Sequence, residues 1–287
     1  MTREAQVIAV LNQKGGVGKT TVTCTLAHML AMQNFDVLIV DLDPQGNVAD
    51  LYGLDEGSET SRMLLGYQDW GTVSLGNDRP DTFGPLDYID VLRANEMLSA
   101  TKQRLVSEPF AVFRINRELQ RVKDDYDYIL LDLSPSFDQL HVSAMVAADW
   151  FLVVTKLDKL AVDGAEAVVR TALGLHKEDF QPPKLLGVLP NFWDRRTSLS
   201  LHYLTQLADA FKELLLPPIP IDTNIMRAAI AGQPITQFYP GARSVQGVYY
   251  NNADKPTGGY RQVFTELHNR LTGEQTEDAF WHWEGEK

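Results

Sequence analysis

A doubly wound α/β fold, with a mainly parallel sheet and helices on both faces, is what this 287-residue chain predicts. Three observations carry that prediction. Two continuous apolar runs, Val37-Leu38-Ile39-Val40 and Tyr128-Ile129-Leu130-Leu131, each end in an aspartate. Unbroken runs of this length suit parallel strands covered on both faces. A third run, Val7-Ile8-Ala9-Val10-Leu11, passes straight into a glycine-rich loop and then a helical stretch. Strand-like and helix-like segments alternate from there on, and such alternation builds one sheet through helical crossovers.

The elements follow in order. The strand at 7–11 feeds the loop, and a helix is predicted over 19–33. The next strand, 37–41, runs into Asp41-Leu42-Asp43-Pro44-Gln45-Gly46-Asn47, two acids followed by a Pro/Gly turn. Residues 50–85, rich in Gly and Asp, form the least regular stretch, with short helices and a loop. A strand at 88–92 and a long helix over 96–122 come next. The strand at 128–132 ends in Asp132-Leu133-Ser134-Pro135-Ser136. Helices over 138–147, 162–175, 198–214, 224–231 and 258–272 alternate with strands at 151–155, 185–190 and 218–221. No internal repeat is present. Residues 1–272 read as one domain. Residues 273–287 read as an acidic tail whose aromatics, Phe280, Trp281 and Trp283, could dock on the body.

The loop carries the chemistry. Gln13-Lys14-Gly15-Gly16-Val17-Gly18-Lys19-Thr20-Thr21 ends in the Gly-Lys-Thr of a P-loop. Gly15, Gly16 and Gly18 have no Cβ, so the backbone can take positive φ and turn its N–H groups inward. Those amides make an anion nest at a helix N-terminus whose dipole also favours phosphate. Lys19 is placed for the β/γ-phosphates of a nucleoside triphosphate, and the Thr20 hydroxyl for Mg²⁺. The start of the loop departs from the usual pattern. Gln13 stands where a first glycine belongs, and Lys14 follows as a second lysine. Lys14 could fold back on its own phosphates, reach a phosphate held by a second copy, or stand as a solvated loop lysine.

Two acids complete the constellation. Ligands of open α/β sheets bind at the carboxyl ends of the strands. Asp43 and Asp132 therefore converge on whatever the loop holds. One such acid can hold Mg²⁺ through water while the other orients an attacking water. Either alone would read as a turn or helix cap.

With these residues in view, the chain resembles the ParA/MinD superfamily of deviant Walker A ATPases, and within it the Soj-like ParA partition ATPases. The resemblance rests on Lys14 to Thr21, Asp41 to Asn47 and Tyr126 to Ser136. It extends through Val188-Leu189-Pro190-Asn191-Phe192-Trp193-Asp194-Arg195-Arg196-Thr197, Ile219-Pro220-Ile221-Asp222 and Ala231-Gly232-Gln233-Pro234-Ile235. It covers roughly residues 5–270. It implies ATP and Mg²⁺ as cofactors, and a homodimer with ATP sandwiched between chains. Lys14 would act across that dimer. Asp43 would serve hydrolysis and Asp132 would take the Walker B role; Thr20, Asp43 and Asp132 form the metal set. Asn191 and the Pro220-Ile221-Asp222 turn would lie against adenine. The resemblance also implies non-specific DNA binding in the ATP state and a ParB-like or adaptor partner that stimulates weak hydrolysis. Arg195, Arg196, Arg227 and Arg243 fall in the motifs where family members place DNA-contacting basic residues. Two readings remain beside this one: a positioning ATPase for a protein assembly, and a metabolic P-loop synthetase of the same fold. A DNA-coating scaffold that hydrolyses nothing is disfavoured by intact Asp43 and Asp132.

Composition bounds the rest. The apolar share of 44% is that of an ordinary globular protein. The one cysteine, Cys24, reads as a small buried side chain; it excludes internal disulfides and fits a reducing cytosol. One cysteine also sets the chain apart from relatives that hold an iron–sulfur cluster at a dimer interface. No apolar run of spanning length occurs, and no signal peptide is visible. The early P-loop leaves no room for an N-terminal helix-turn-helix. The acidic tail is the wrong charge for an anionic bilayer, so no membrane binding is expected; the resemblance implies a cytoplasmic, nucleoid-associated protein. The net charge of −12 requires any DNA-binding surface to be a local basic patch. Arg114, Arg117 and Arg121 share helical spacing and are expected to pair with nearby acids. The histidines show no metal-ligand spacing. Ser134 and Ser136 lack a sequence-adjacent histidine for a hydrolase triad.

Overall fold

The structure, a computed structural model, describes residues 4–76, 84–175, 183–249 and 255–273. The aromatic tail expected to dock on the body falls outside them, and so do His176 and His282. Gln6–Leu11 (β1) leads through the glycine-rich loop into Lys19–Ala31 (α1) and Val37–Leu42 (β2). Asn47–Tyr52 (α2), Glu59–Leu64 (α3) and the two-residue Val73–Ser74 (β3) occupy the stretch read as irregular, before Ile89–Leu92 (β4). Met97–Val106 (α4) and Arg114–Leu119 (α5) precede Tyr128–Leu133 (β5). Then come Gln139–Ala147 (α6), Trp150–Lys156 (β6), Ala161–Leu175 (α7), Lys184–Asn191 (β7) and Ser198–Phe211 (α8). Asn224–Ile230 (α9), Ile235–Phe238 (α10), Arg243–Gln246 (α11) and Tyr260–Thr272 (α12) close the chain.

Seven strands among the described residues form one sheet in the order β3-β4-β2-β5-β1-β6-β7, parallel except where β3 runs against β4. Strand residues alternate between two cores. Leu38, Val40, Leu131 and Val153 join a cluster with α3 to α8. Val37, Ile39, Leu130 and Leu152 join another with α1 and α9 to α12. Apolar side chains on both faces explain why the strands read as continuous apolar runs. β1 lies between β5 and β6, and the chain leaves it on one face through α1 and returns on the other through α6. The loop after β1 therefore opens at the switch point where such sheets bind ligands.

Three predicted elements differ. The helix over 96–122 is two helices, because Pro109 lacks an N–H and disfavours helical geometry at Glu108. A 3₁₀ turn, Ala111–Phe113, bridges the gap. The helix over 198–214 ends at Phe211 and tightens into a 3₁₀ turn, Lys212–Leu214. No strand forms at 218–221. Pro217, Pro218 and Pro220 cannot donate to a ladder. That segment lies extended along β7, with Leu216 N–H on the Val188 carbonyl at 2.9 Å and Ile219 N–H on that of Pro190 at 2.8 Å. No helix among the described residues is long and apolar enough to cross a membrane.

Candidate functional site

The P-loop takes the conformation its glycines allow. Gly16 has φ +66° and Gly18 φ +92°, both in the left-handed region. A Cβ on Gly18 would collide with the Asn191 side-chain amide. Gly18 is also the N-cap of α1, and no side chain caps that helix, so its first amides stay available to an anion. The Lys19 side chain is buried, with Nζ 3.3 Å from the Asn12 carbonyl. Burial lowers its pKa, while the charges of Asp132 and Asp43 oppose that shift.

Register brings the acids together. Asp41 on β2 pairs with Asp132 on β5, so both side chains share the face covered by α1. Asp43, two residues beyond Asp41, projects to the same side. Asp132 accepts the Thr23 hydroxyl at 3.0 Å through Oδ1, while its buried Oδ2 has no hydrogen-bond partner. Burial pushes Asp132 up to about 6, against hydrogen bonding from Thr20 and Thr23 and the Lys19 charge. Burial, then the Asp132 charge, raises Asp41 as well. Asp41 accepts the amides of Asp43 at 3.0 Å and Val48 at 3.1 Å, and so shapes the turn that carries Asp43.

These residues fit Mg²⁺. Crowded carboxylates with raised pKa values and an orphaned oxygen are what a divalent cation relieves, and hard oxygen donors are what it prefers. No group of three or more His, Cys, Asp or Glu side chains among the described residues forms a cage by itself. The metal would thus be shared by Thr20, Asp43, Asp132, phosphate oxygens and water, as Mg²⁺ sites usually are.

A cavity of about 930 Å³ opens over the loop. Residues 15–21, Asp43 and Asp50 line it, and so do Lys102, Ser134, Ser136 and Asp138 from α4 and the loop between β5 and α6. Sequence does not single out Lys102. It donates to the Ser134 hydroxyl at 3.1 Å and to Asp138 at 3.2 Å, fixing the loop after Asp132. A lone lysine in a helix gives no local signal. Asp41 could have been found from its two-residue spacing to Asp43. A histidine does come near Ser134: His141 Nε2 lies 2.8 Å from the Ser134 carbonyl, not its hydroxyl, so no nucleophile–base pair results.

Lys14 is held outside the cavity. Its ammonium pairs with Asp158, just past β6, and both side chains are about two-fifths exposed. Asn191 is buried, donating to the Val17 carbonyl at 2.9 Å and accepting the Phe192 N–H at 2.9 Å. It braces the P-loop. Asp222 accepts from the amides of Asn224 at 2.9 Å and Ser244 at 3.1 Å, and Asn191, Pro220 and Asp222 stand outside the cavity wall. Arg196 and Arg243 gather around Asp194, which Arg196 grips with two nitrogens, and Arg195 donates to the Tyr249 carbonyl. Arg227 is exposed on α9. Arg114 pairs with Glu108, and Arg117 and Arg121 with the buried Glu118, as expected for that trio. Cys24 is buried in α1.

Residues 5–182 match the family described as an AAA domain. The chain is 31% identical over 241 residues to the chromosome partitioning protein ParA of Myxococcus xanthus, covering 81% of each chain. It is 32% identical over 234 residues to the chromosome-partitioning ATPase Soj of Thermus thermophilus, covering 81% of this chain and 88% of that one. Among solved structures, a Cyanothece McdA variant in complex with ATP aligns with a TM-score of 0.76 at 19% identity, over 95% of this chain and 98% of that one. The cobyrinic acid a,c-diamide synthase of Mycobacterium smegmatis, with an ATP analogue and magnesium, aligns with a TM-score of 0.67 at 27% identity, over 88% and 99%. ATP and Mg²⁺ are the cofactors of this site. The chain belongs to the ParA/MinD superfamily of deviant Walker A ATPases, among its Soj-like partition members.

Proposed function

We propose that this chain is a partition or positioning ATPase that pairs face to face around ATP, binds DNA without sequence preference in that state, and is released by a partner-stimulated hydrolysis. The observation that carries the reading is the placement of Lys14. It stands at the mouth of a complete triphosphate site, outside its own cavity, with Asp158 as its partner. On pairing, Lys14 leaves Asp158 for the γ-phosphate of the second copy. The rim supports a second copy. Phe137 (39% exposed), Leu160 (58%), Met226 (71%) and Ile230 (87%) are large exposed apolar side chains close in sequence to Asp138, Asp158 and Ala229, and burying them favours association.

The roles follow from position. The P-loop amides and Lys19 hold the phosphate charge, and Thr20 and Asp132 place the metal. Mg²⁺ offsets the charge that develops on the phosphate oxygens. Asp43 holds and orients the attacking water. Lys14 stabilises the transferring phosphoryl group in trans. Hydrolysis is slow because this last group arrives only in the pair, and a ParB-like or adaptor protein that stabilises the pair accelerates it. Nucleoid association in the cytoplasm follows from DNA binding.

Light scattering with ATP tests this. The intact chain is expected to double in mass with ATP and Mg²⁺. Lys14→Ala is expected to keep nucleotide binding and stay single. A variant that still pairs removes the trans role. A synthetase reading draws on the reach of the cavity to Ser99, Lys102 and Gln103, room enough for a second substrate. ATP turnover raised by DNA and adaptor, with no small-molecule acceptor, decides against it.

A further inference from the structure

α4 and the residues leading into it touch both segments that carry the site acids. The chain enters α4 from β4, which pairs with β2 on the side away from β5. At Ala94, two residues past β4, it presses on the turn after Asp43. A Cβ on Gly46 would lie 2.5 Å from the Ala94 carbonyl oxygen, and Gly46 has φ +65°, so this turn accepts only glycine. The Gly46 N–H in turn donates to the Asp43 carbonyl at 3.0 Å. Leu98 and Leu105, both buried in the core, anchor α4 from behind. Ser99, Lys102 and Gln103, at i, i+3 and i+4, then line the nucleotide cavity.

At the other acid, Lys102 closes a ring of hydrogen bonds. Its ammonium holds Ser134 Oγ and Asp138 Oδ2. Ser134 Oγ lies 3.0 Å from Ser136 Oγ, and Ser136 donates to the same Asp138 oxygen at 3.3 Å. Asp138 Oδ1 accepts the Leu140 N–H at 2.9 Å and so caps α6. Every polar side chain from Ser134 to Asp138 is engaged in this ring, and Lys102 joins it from a different element. The lysine side chain is only 15% exposed. Ordering and desolvating a long cation is costly, and an ion pair in that setting is weak support for stability. It is a firm constraint on where the loop sits. Ser134 lies two residues past Asp132, so a loop that shifts carries the acid with it.

We propose that Lys102 is a positioning residue for hydrolysis: it clamps the loop after Asp132 while the start of its own segment buttresses the turn after Asp43, so one brace sets the spacing of the two acids. This rests on the hydrolytic roles proposed above for Asp43 and Asp132. Lys102 acts through the loop and leaves phosphate binding to the P-loop and Lys19.

ATP turnover with Mg²⁺, measured on the full chain, tests the brace in Lys102→Met, Lys102→Arg and Ser134→Ala. A misplacement of about 1 Å in a site can cost on the order of a hundredfold in rate. Lys102→Met is expected to lower kcat by about tenfold or more, with KM, ATP affinity and mass in ATP as in wild type. Lys102→Arg still offers donors to both partners and recovers most of the loss. In the nucleotide-free protein, amide exchange over residues 133–141 is expected to quicken in Lys102→Met and return in Lys102→Arg, while exchange over the P-loop stays unchanged. Ser134→Ala repeats the test without altering α4. It should lower kcat in the same way and add nothing when combined with Lys102→Met, because both cut one link. Loss of ATP affinity in step with kcat would put Lys102 on the phosphates, and losses that multiply would make the two residues independent; either result overturns the brace. So does wild-type kcat in Lys102→Met, and that outcome removes the brace alone. An intact chain that hydrolyses no ATP removes the hydrolytic reading and the brace with it.

Discussion

At the scale of single residues, the site stores electrostatic cost in Asp132. Its folded pKa of about 6 lies above the ordinary aspartate value of 3.8, so the native chain binds more protons than the unfolded chain between those values. Stability of the nucleotide-free protein therefore falls as pH rises through that window. Each pKa unit is worth about 1.4 kcal/mol, so the group costs on the order of 2–3 kcal/mol above pH 6. Asp132→Asn keeps an acceptor for Thr23 and removes the charge. Thermal melts without Mg²⁺ are expected to show the variant more stable than wild type at pH 7, with the two converging near pH 4. Equal melting temperatures at pH 7 would show that Asp132 ionises without penalty. Mg²⁺ with nucleotide should close the gap from the other side, by stabilising wild type only.

At the scale of elements, β7 holds the P-loop in shape through a single side chain. The Asn191 amide sits on Val17 and leaves no room for a Cβ at Gly18. Gly18→Ala adds that atom at φ +92°, where an L-residue is strained by roughly 1–3 kcal/mol. Calorimetry is expected to find nucleotide binding lost, with a fold that survives by circular dichroism; unchanged ATP affinity would mean the loop can re-form around an alanine. This bond also marks where the sequence stops being legible. The strands at 7–11, 37–41 and 128–132 can be read because each is an apolar run buried on both sides, the last two closed by an aspartate. The P-loop, Asp43 and Asp132 can be read because their chemistry is local in sequence. Asn191–Val17, Lys14–Asp158 and Lys102–Ser134 join residues 174, 144 and 32 positions apart, and no local pattern announces them. Sequence overreads the helix over 96–122 because its periodicity survives across Pro109 while its hydrogen bonds do not. It overreads the strand at 218–221 because Ile219 and Ile221 look strand-like, while their proline neighbours cannot donate and leave isolated bridges in place of a ladder.

At the scale of the molecule, the proposed DNA binding by a chain of net charge −12 has to use a minority of its surface. Arg196 is paired with Asp194, and the exposed Arg195, Arg227 and Arg243 add three more cations. Pairing two copies doubles this set. Gel shifts are expected to show DNA retention only with ATP, without sequence preference, and with steep loss on added salt. Each phosphate contact contributes about 0.9 to the slope of log K against log salt, so Arg195→Glu with Arg227→Glu in both copies flattens it by about 3 to 4. Retention by the double variant with an unaltered slope would place the DNA surface elsewhere.

The two ends of the sheet carry a different consequence. Among the described residues, β4 is followed outward by the two-residue β3 alone, and beyond β7 the proline-bearing segment already occupies the Val188 and Pro190 carbonyls. Neither border presents a long row of open peptide groups for another strand to template on. Copies of this chain cannot extend one another's sheets, so ribbon-like growth is closed off. The proposed pairing then uses side-chain surfaces at the strand tips, where a patch that meets its own image satisfies itself and stops at two. Under the proposed function, order along a long DNA track then comes from the DNA, with each pair landing independently, instead of from a self-propagating protein filament.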